Sequence, residues 1–284
     1  MVMKKVFWII LCMFFIPLVT FAGNMKLHYD RPAEYFEEAL VIGNGTMGAT
    51  LYGGVKKDKI SFNDITLWTG EPESENSSPD AFNVIPEIRA LLDNEDYEGA
   101  DKAQYKVQGH YSENYQPLGT LTIEYLDDTA GISDYHRWLD IGNATARTQY
   151  LKDGKLFTSD YFASAPDSVI VIRLKSENKE GIHALLSFDS PLPHSSQVAD
   201  NEISVEGYAA YHSFPVYYKA EDKHRYDPER GIHFKTLVRV LSVDGSVKNR
   251  YSDSRIEIDG STEVLILIAN VTSFNGFDKD PVKE

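Results

Sequence analysis

Cysteine is almost missing. Cys12 is the one instance in 284 residues. It sits inside an apolar run, residues 6–19, that follows Lys4 and Lys5 and leads to Thr20-Phe21-Ala22. A basic start, an apolar stretch and small residues at −3 and −1 describe a secretory signal peptide over residues 1–22. The run is too short for a comfortable membrane span, and Pro17 interrupts it. Leu11 stands where a lipoprotein site wants a small residue before its cysteine. Cleavage after Ala22 removes Cys12, so the expected mature chain has no disulfide and must be held by its core. It is expected to be exported, to the periplasm or the cell exterior, with no membrane span after cleavage.

Basic residues are scarce. Lys and Arg number 28 against 43 Asp and Glu, a net charge of −15 that becomes −17 when Lys4 and Lys5 leave with the signal. Phosphate binding needs a basic stripe and none is visible, so nucleic acid is not an expected partner. A neutral substrate suits such a chain better. The eight histidines include no H-E-x-x-H and no tight pair, so no metal site is expected. There is no G-x-S-x-G and no Walker loop. Glu71, Glu73 and Glu75 read as a solvated loop rather than as the paired carboxylates of glycoside hydrolysis. No catalytic residue is assigned, and no cofactor is expected.

What is abundant is strand. "LTIEYL" (residues 121–126), "SVIVIRL" (168–174), "HFKTLVRVLSV" (233–243) and "EVLILIANVTSF" (263–274) are rich in β-branched and aromatic residues. In "TLVRVLSV", Leu237, Arg239, Leu241 and Val243 alternate with Thr236, Val238, Val240 and Ser242. Asp153-Gly154, Asp244-Gly245 and Asp259-Gly260 read as turns, since Asp-Gly favours the positive φ of hairpins. These features predict a mainly β fold: a large antiparallel β-sandwich with a short helical insertion. In the insertion Ile85, Ile88, Leu91 and Leu92 fall at helical spacing. Pro86 suits its first turn, and Asn94 splits off a second helix around residues 97–107. The insertion is expected to cover an end or edge of the sandwich. Residues 23–277 read as one domain, and residues 278–284 as the start of a linker.

"GNGTMG" (residues 43–48) fits the dinucleotide-binding spelling G-x-G-x-x-G and comes after an apolar run. That fingerprint requires a helix after the glycines. Here Gly53-Gly54 and Lys56 to Lys59 interrupt the chain before a helix develops, and another strand-like run comes next. The glycines are therefore expected to serve a hairpin, by permitting positive φ and close backbone approach.

Two stretches have the composition of sugar recognition, in which an aromatic face packs on a pyranose and amides bind hydroxyls. "FNDITLWTG" (residues 62–70) supplies Asn63, Trp68 and Thr69. "HYSENYQPLG" (110–119) supplies His110, Tyr115 and Gln116. Taken alone, the first reads more readily as the core and cap of a strand end, and the second as a loop packed on a sheet edge. Asn44, Asn76, Asn143 and Asn270 begin N-x-S/T triplets, which matter only in a host that glycosylates.

These stretches occur in a fixed order with "PAEYFEEALVIGNGTMGATLYGGV", "PEIRALL", "YQPLGTLTIEY", "YHRWLDIGNATARTQY", "DYFASAPDSVIVIRL" and "TSFNGF". Together they resemble the N-terminal domain of family 95 glycoside hydrolases, the inverting α-L-fucosidases and their α-L-galactosidase relatives. The likeness runs from about Leu27 to Phe277. Three departures stand out: Ile65 replaces the second acid of the usual N-E-D-T-L-W-S-G, Tyr35-Phe36 replaces a tryptophan, and Val41 replaces a proline. The resemblance implies a β-sandwich followed by a helical linker, an (α/α)6 barrel and a C-terminal β domain. It implies inversion by a general-acid glutamate and an activated water, with a fucosylated or galactosylated glycan as partner. Those catalytic groups belong to the barrel, and no position here matches them. The expectation is an N-terminal domain, inactive alone, whose barrel is missing or separately encoded. Asn63, Trp68, Thr69, His110, Tyr115 and Gln116 are then candidates for one wall of the sugar site. The alternative is a carbohydrate-binding or interaction module that works by itself.

Overall fold

The computed structural model describes residues 25–72, 80–109 and 111–282. The expected signal peptide, Glu73, Glu75, Asn76 and His110 lie outside the described residues. In chain order the first strands are β1 (Lys26–Tyr29), β2 (Leu40–Gly43), β3 (Met47–Leu51), β4 (Lys57–Asp64), β5 (Gly119–Tyr125) and β6 (Ile132–Asp140). Next come β7 (Thr145–Lys152), β8 (Lys155–Ser164), β9 (Val169–Ser176), β10 (Ile182–Asp189), β11 (His194–Ala199) and β12 (Glu202–Tyr208). The last are β13 (His212–Ser213), β14 (His224–Arg225), β15 (His233–Ser242), β16 (Ser246–Arg250), β17 (Arg255–Ser261) and β18 (Glu263–Thr272).

Nine strands pair in the order β1-β6-β7-β8-β9-β18-β15-β12-β11, and seven in the order β16-β17-β10-β5-β4-β3-β2. Pairing is antiparallel throughout. The inner faces of the two sheets share one core, as a sandwich requires. Alternate residues of each strand enter it. Along β15, Phe234, Thr236, Val238 and Val240 are buried while His233, Lys235, Arg239 and Leu241 are exposed. Ile170, Ile172 and Leu174 of β9 and Val264, Ile266 and Ile268 of β18 are buried alongside them. Each such side chain contributes about 1.5–3 kcal/mol of apolar transfer free energy.

Two polar groups are folded into this core. Asp58 of β4 is buried, accepting from the Tyr161 hydroxyl at 2.9 Å and the Gly54 amide at 2.9 Å. Arg137 of β6 is buried too, donating to the carbonyls of Arg31 (2.8 Å) and Glu38 (2.9 Å) with its guanidinium over the Tyr29 ring. It thereby fastens the N-terminal segment to the nine-stranded sheet.

The glycine stretch closes a hairpin. Gly43 ends β2, Met47 begins β3, and Gly45 has φ +95°. The Asn44 side chain accepts from the amides of Thr46 (3.0 Å) and Met47 (2.8 Å), and its Nδ2 donates to the Ser164 carbonyl of the other sheet (3.0 Å). The glycines lead into β3 and then β4, so their backbone has no helix N-terminus at which to hold a pyrophosphate.

Local structure departs from expectation in four places. Asp153-Gly154 is a hairpin turn with positive φ at both residues, but Asp244-Gly245 carries the chain from one sheet to the other. Asp259-Gly260 is not a turn. Gly260 (φ +73°) is an extra residue inside β17, because Ile182 pairs with Ser261 and His183 with Asp259. That is a β-bulge, which uses the same left-handed glycine as a turn does. The first helix, α1 (Ala81–Asp93), starts five residues before Pro86, which therefore lies inside it. α1 buries no residue. It packs mainly on α2 (Tyr97–Gln104), so the insertion stands on itself more than it covers the sandwich. The second helix and the break at Asn94 are as expected, with the Asn94 side chain donating to the Ala90 carbonyl.

Candidate functional site

β4 ends at Asp64, and the chain turns sharply there. The Asp64 carboxyl accepts from the Thr66 amide (2.9 Å) and hydroxyl (2.6 Å), and its carbonyl accepts from the Leu67 amide. Leu67 is buried and anchors residues 68–70 to the core. The Trp68 indole folds back to donate to the Ile65 carbonyl at 2.9 Å. Residues 67–70 then run beside residues 113–116. Trp68 bridges Tyr115, the Thr69 amide donates to the Asn114 carbonyl (2.8 Å), and the Gln116 amide donates to the Leu67 carbonyl (3.0 Å).

This ladder brings together Trp68, Thr69, Tyr115 and Gln116. Their side chains have different roles. Trp68 and Tyr115 are 43% and 41% exposed, with ring centroids 6.1 Å apart in an edge-to-face arrangement. Thr69 and Gln116 are buried, and both are committed inward: Thr69 donates to Glu113, and the Gln116 side-chain amide donates to the Tyr115 carbonyl. Asn63 lies outside the ladder. Its Oδ1 occupies the space that a Cβ on Gly48 would need, 2.5 Å from that position. Partial burial, then the charge on Asp64, pushes the Tyr115 phenol above its ordinary pKa, so it stays a neutral donor and acceptor.

Glu113 joins the ladder to a third segment. Its carboxyl accepts from the Thr69 hydroxyl, the His212 ring (Nδ1, 2.8 Å) and the Ser213 amide (3.2 Å). Asn114 Nδ2 donates to the Ser213 carbonyl (3.1 Å), and the Gly70 amide donates to the Ala210 carbonyl (3.3 Å). Ser213 Oγ in turn pairs with His224 Nδ1 at 2.8 Å. Glu113 stands between the aromatic and amide residues of the 110–119 stretch. Nothing local distinguishes it, because its partners lie 44 to 100 residues away.

Next to this edge is a cavity of about 700 Å³, in the size range of small-ligand sites. Glu71, Arg230, His233, Lys235, Val271 and Pro281 are among its lining residues. Arg230 pairs with Glu71 through both guanidinium and carboxylate forks and lies 3.6 Å from the Tyr211 ring centroid. Among the described residues, no group of three or more His, Cys, Asp or Glu is placed to hold a metal ion. No described helix is long and apolar enough to cross a membrane.

Residues 27–276 match the family model described as Glycosyl hydrolase family 65, N-terminal domain. "Alpha-L-fucosidase 2" of Arabidopsis thaliana is 28% identical over 259 residues, covering 89% of this chain and 31% of the relative. "Probable alpha-fucosidase A" of Aspergillus niger is 28% identical over 273 residues (89% and 31%). Its namesake from Aspergillus oryzae is 23% identical over 248 residues (84% and 32%). The chain thus spans about a third of the length of these relatives. The matching model bears the number 65, where the motifs pointed to family 95. A two-sheet antiparallel sandwich with that match over nearly its whole described length belongs to the glycoside hydrolase N-terminal domains of this family.

Proposed function

We propose that this chain is the N-terminal β-sandwich of an exported, family 95-like α-L-fucosidase-type glycoside hydrolase, and that the Trp68–Tyr115 edge forms one wall of its sugar site. One observation carries the reading: three relatives named as fucosidases align along 84–89% of this chain. Trp68 and Tyr115 add the chemistry. Both residues are partly exposed, and an aromatic face is the surface that packs on the C–H face of a pyranose. The Glu113 network holds that surface still, and a rigid site loses less freedom when it binds.

The chain by itself is read as inactive, since no residue in it is assigned as general acid or base. Purified chain incubated with α-L-fucosyl and α-L-galactosyl glycans is expected to release neither sugar. Release of either sugar overturns the inactivity. Fluorescence titration of Trp68 tests the wall: L-fucose or L-galactose is expected to shift its emission, and Trp68→Ala to abolish the shift. A flat titration at millimolar sugar sinks the wall assignment. Export predicts a mature protein starting at Gly23, readable by N-terminal sequencing of the secreted product.

The stand-alone binding module is kept as a second reading because Tyr111 and Tyr217 are exposed near the same edge. An in-frame downstream continuation encoding a helical barrel decides against it.

A further inference from the structure

We propose that the arm formed by β13, β14 and residues 214–223 between them is a second carbohydrate-contacting surface. It takes the sugar units that lie beyond the terminal one in a neutral oligosaccharide. This rests on the Trp68–Tyr115 edge being a sugar wall and extends that wall along a neighbouring set of rings.

The arm is a two-stranded ribbon paired only with itself. The Tyr211 amide donates to the Arg225 carbonyl and the Phe214 amide to the Lys223 carbonyl, both at 2.9 Å. Its rings and Tyr111 of the 110–119 stretch form a continuous row. His212 meets Phe214 edge-on at 4.5 Å, and Phe214 stacks on Tyr218 at 4.7 Å. Tyr218 meets Tyr111 at 5.6 Å, and Tyr111 meets Tyr217 at 6.3 Å. Arg225 lies 5.5 Å from the Phe214 ring centroid. Yet the row ends in water: Val216 is 86% exposed and Tyr217 74%. The sandwich core does not explain these exposed aromatics, and such a patch marks a contact surface.

Charge and continuity select the occupant. Residues 212–225 carry Lys219, Lys223 and Arg225 against Glu221 and Asp222, an arm one charge from balance on a chain of net charge −15. That arrangement gives an anionic ligand little net attraction. Tyrosine offers an apolar face for sugar C–H groups and a hydroxyl for sugar hydroxyls. The base of the row is His212, fixed by Glu113, and Glu113 is two residues before Tyr115 of the wall. One oligosaccharide crossing both surfaces is the chemistry this continuity fits.

The test titrates the full chain with L-fucose and with a fucose-terminated tetrasaccharide, using wild type, Tyr217→Ala, Tyr217→Phe and Trp68→Ala. The tetrasaccharide is expected to bind more tightly than L-fucose. Tyr217→Ala is expected to weaken the tetrasaccharide about 3- to 10-fold, the worth of one aromatic contact, and to leave L-fucose unchanged. Tyr217→Phe keeps the ring face and loses the hydroxyl, so it is expected to fall between wild type and Tyr217→Ala. Tetrasaccharide affinity unchanged in Tyr217→Ala overturns the arm assignment, even where Trp68→Ala abolishes L-fucose binding and the wall stands. Weakening by Tyr217→Ala with no effect of Trp68→Ala removes the wall and overturns the arm as its extension. Self-association that Tyr217→Ala abolishes, with no sugar bound, makes the arm a protein contact and overturns the proposal. Flat titrations throughout overturn both.

Discussion

Asn270 of β18 donates from Nδ2 to Asp64 Oδ2 of β4 at 2.9 Å, a part-buried hydrogen bond between the two sheets. Thr236 of β15 completes it by donating to Asn270 Oδ1 at 2.8 Å. The same carboxyl starts the turn that presents Trp68. Packing across the sandwich and placement of the exposed aromatic edge are thus linked at one residue.

Asp64→Ala leaves the Asn270 side-chain amide and the Thr66 backbone amide without their acceptor. Buried donors that lose their partner cost about 1–3 kcal/mol. Urea unfolding is expected to show a loss of that order, and the Trp68 emission to move toward that of a solvated indole. Unchanged emission would separate the turn from the sheet-to-sheet bond.

Glu113→Ala removes the acceptor shared by Thr69, His212 and Ser213. The expected loss is about 1–3 kcal/mol, with faster amide hydrogen exchange at Thr69, Asn114 and Ser213. Glu113→Gln keeps one carbonyl acceptor and is expected to fall between. Equal exchange in all three proteins would mean that Glu113 does not brace this edge.

Asp58 should make stability depend on pH in a defined direction. Burial raises its pKa to about 6, against an ordinary value near 4. A raised folded pKa means that the group's favourable contribution is complete below the unfolded pKa and is lost as pH rises through about 6. Asp58→Asn cannot ionise. Relative to wild type it is therefore expected to gain roughly 2 kcal/mol between pH 4 and pH 7. Parallel unfolding curves across that range, with a constant difference, would show that Asp58 does not titrate there.

Gly45 has φ +95°, a backbone conformation that a Cβ disfavours. Gly45→Ala is expected to cost about 1–2 kcal/mol in thermal or urea unfolding. Calorimetry with NAD is expected to be flat for both proteins. Measurable binding that the substitution abolishes would restore the nucleotide reading that the hairpin argues against.

Much of this was legible in the chain. Period-2 alternation divides β15 into two faces because a strand repeats every two residues, but composition does not choose between them: Leu237 and Leu241 share one face, Val238 and Val240 the other, and the structure buries the second. Asp153-Gly154 makes its hairpin from two residues and needs nothing distant. The order of the motifs was enough to point to a glycoside hydrolase N-terminal domain. Other features depend on partners that no local pattern names. Gly260 becomes a bulge rather than a turn because the register of β10 leaves it unpaired. Thr69 and Gln116 read as sugar ligands from composition, but the packing of two loops turns them inward and leaves Trp68 and Tyr115 as the open surface. Glu113 looks ordinary until His212 arrives from 99 residues away. Propensity and period are local properties of the backbone, and the sequence determined those. Which distant groups meet is set by strand register and loop packing, which only the tertiary structure decided.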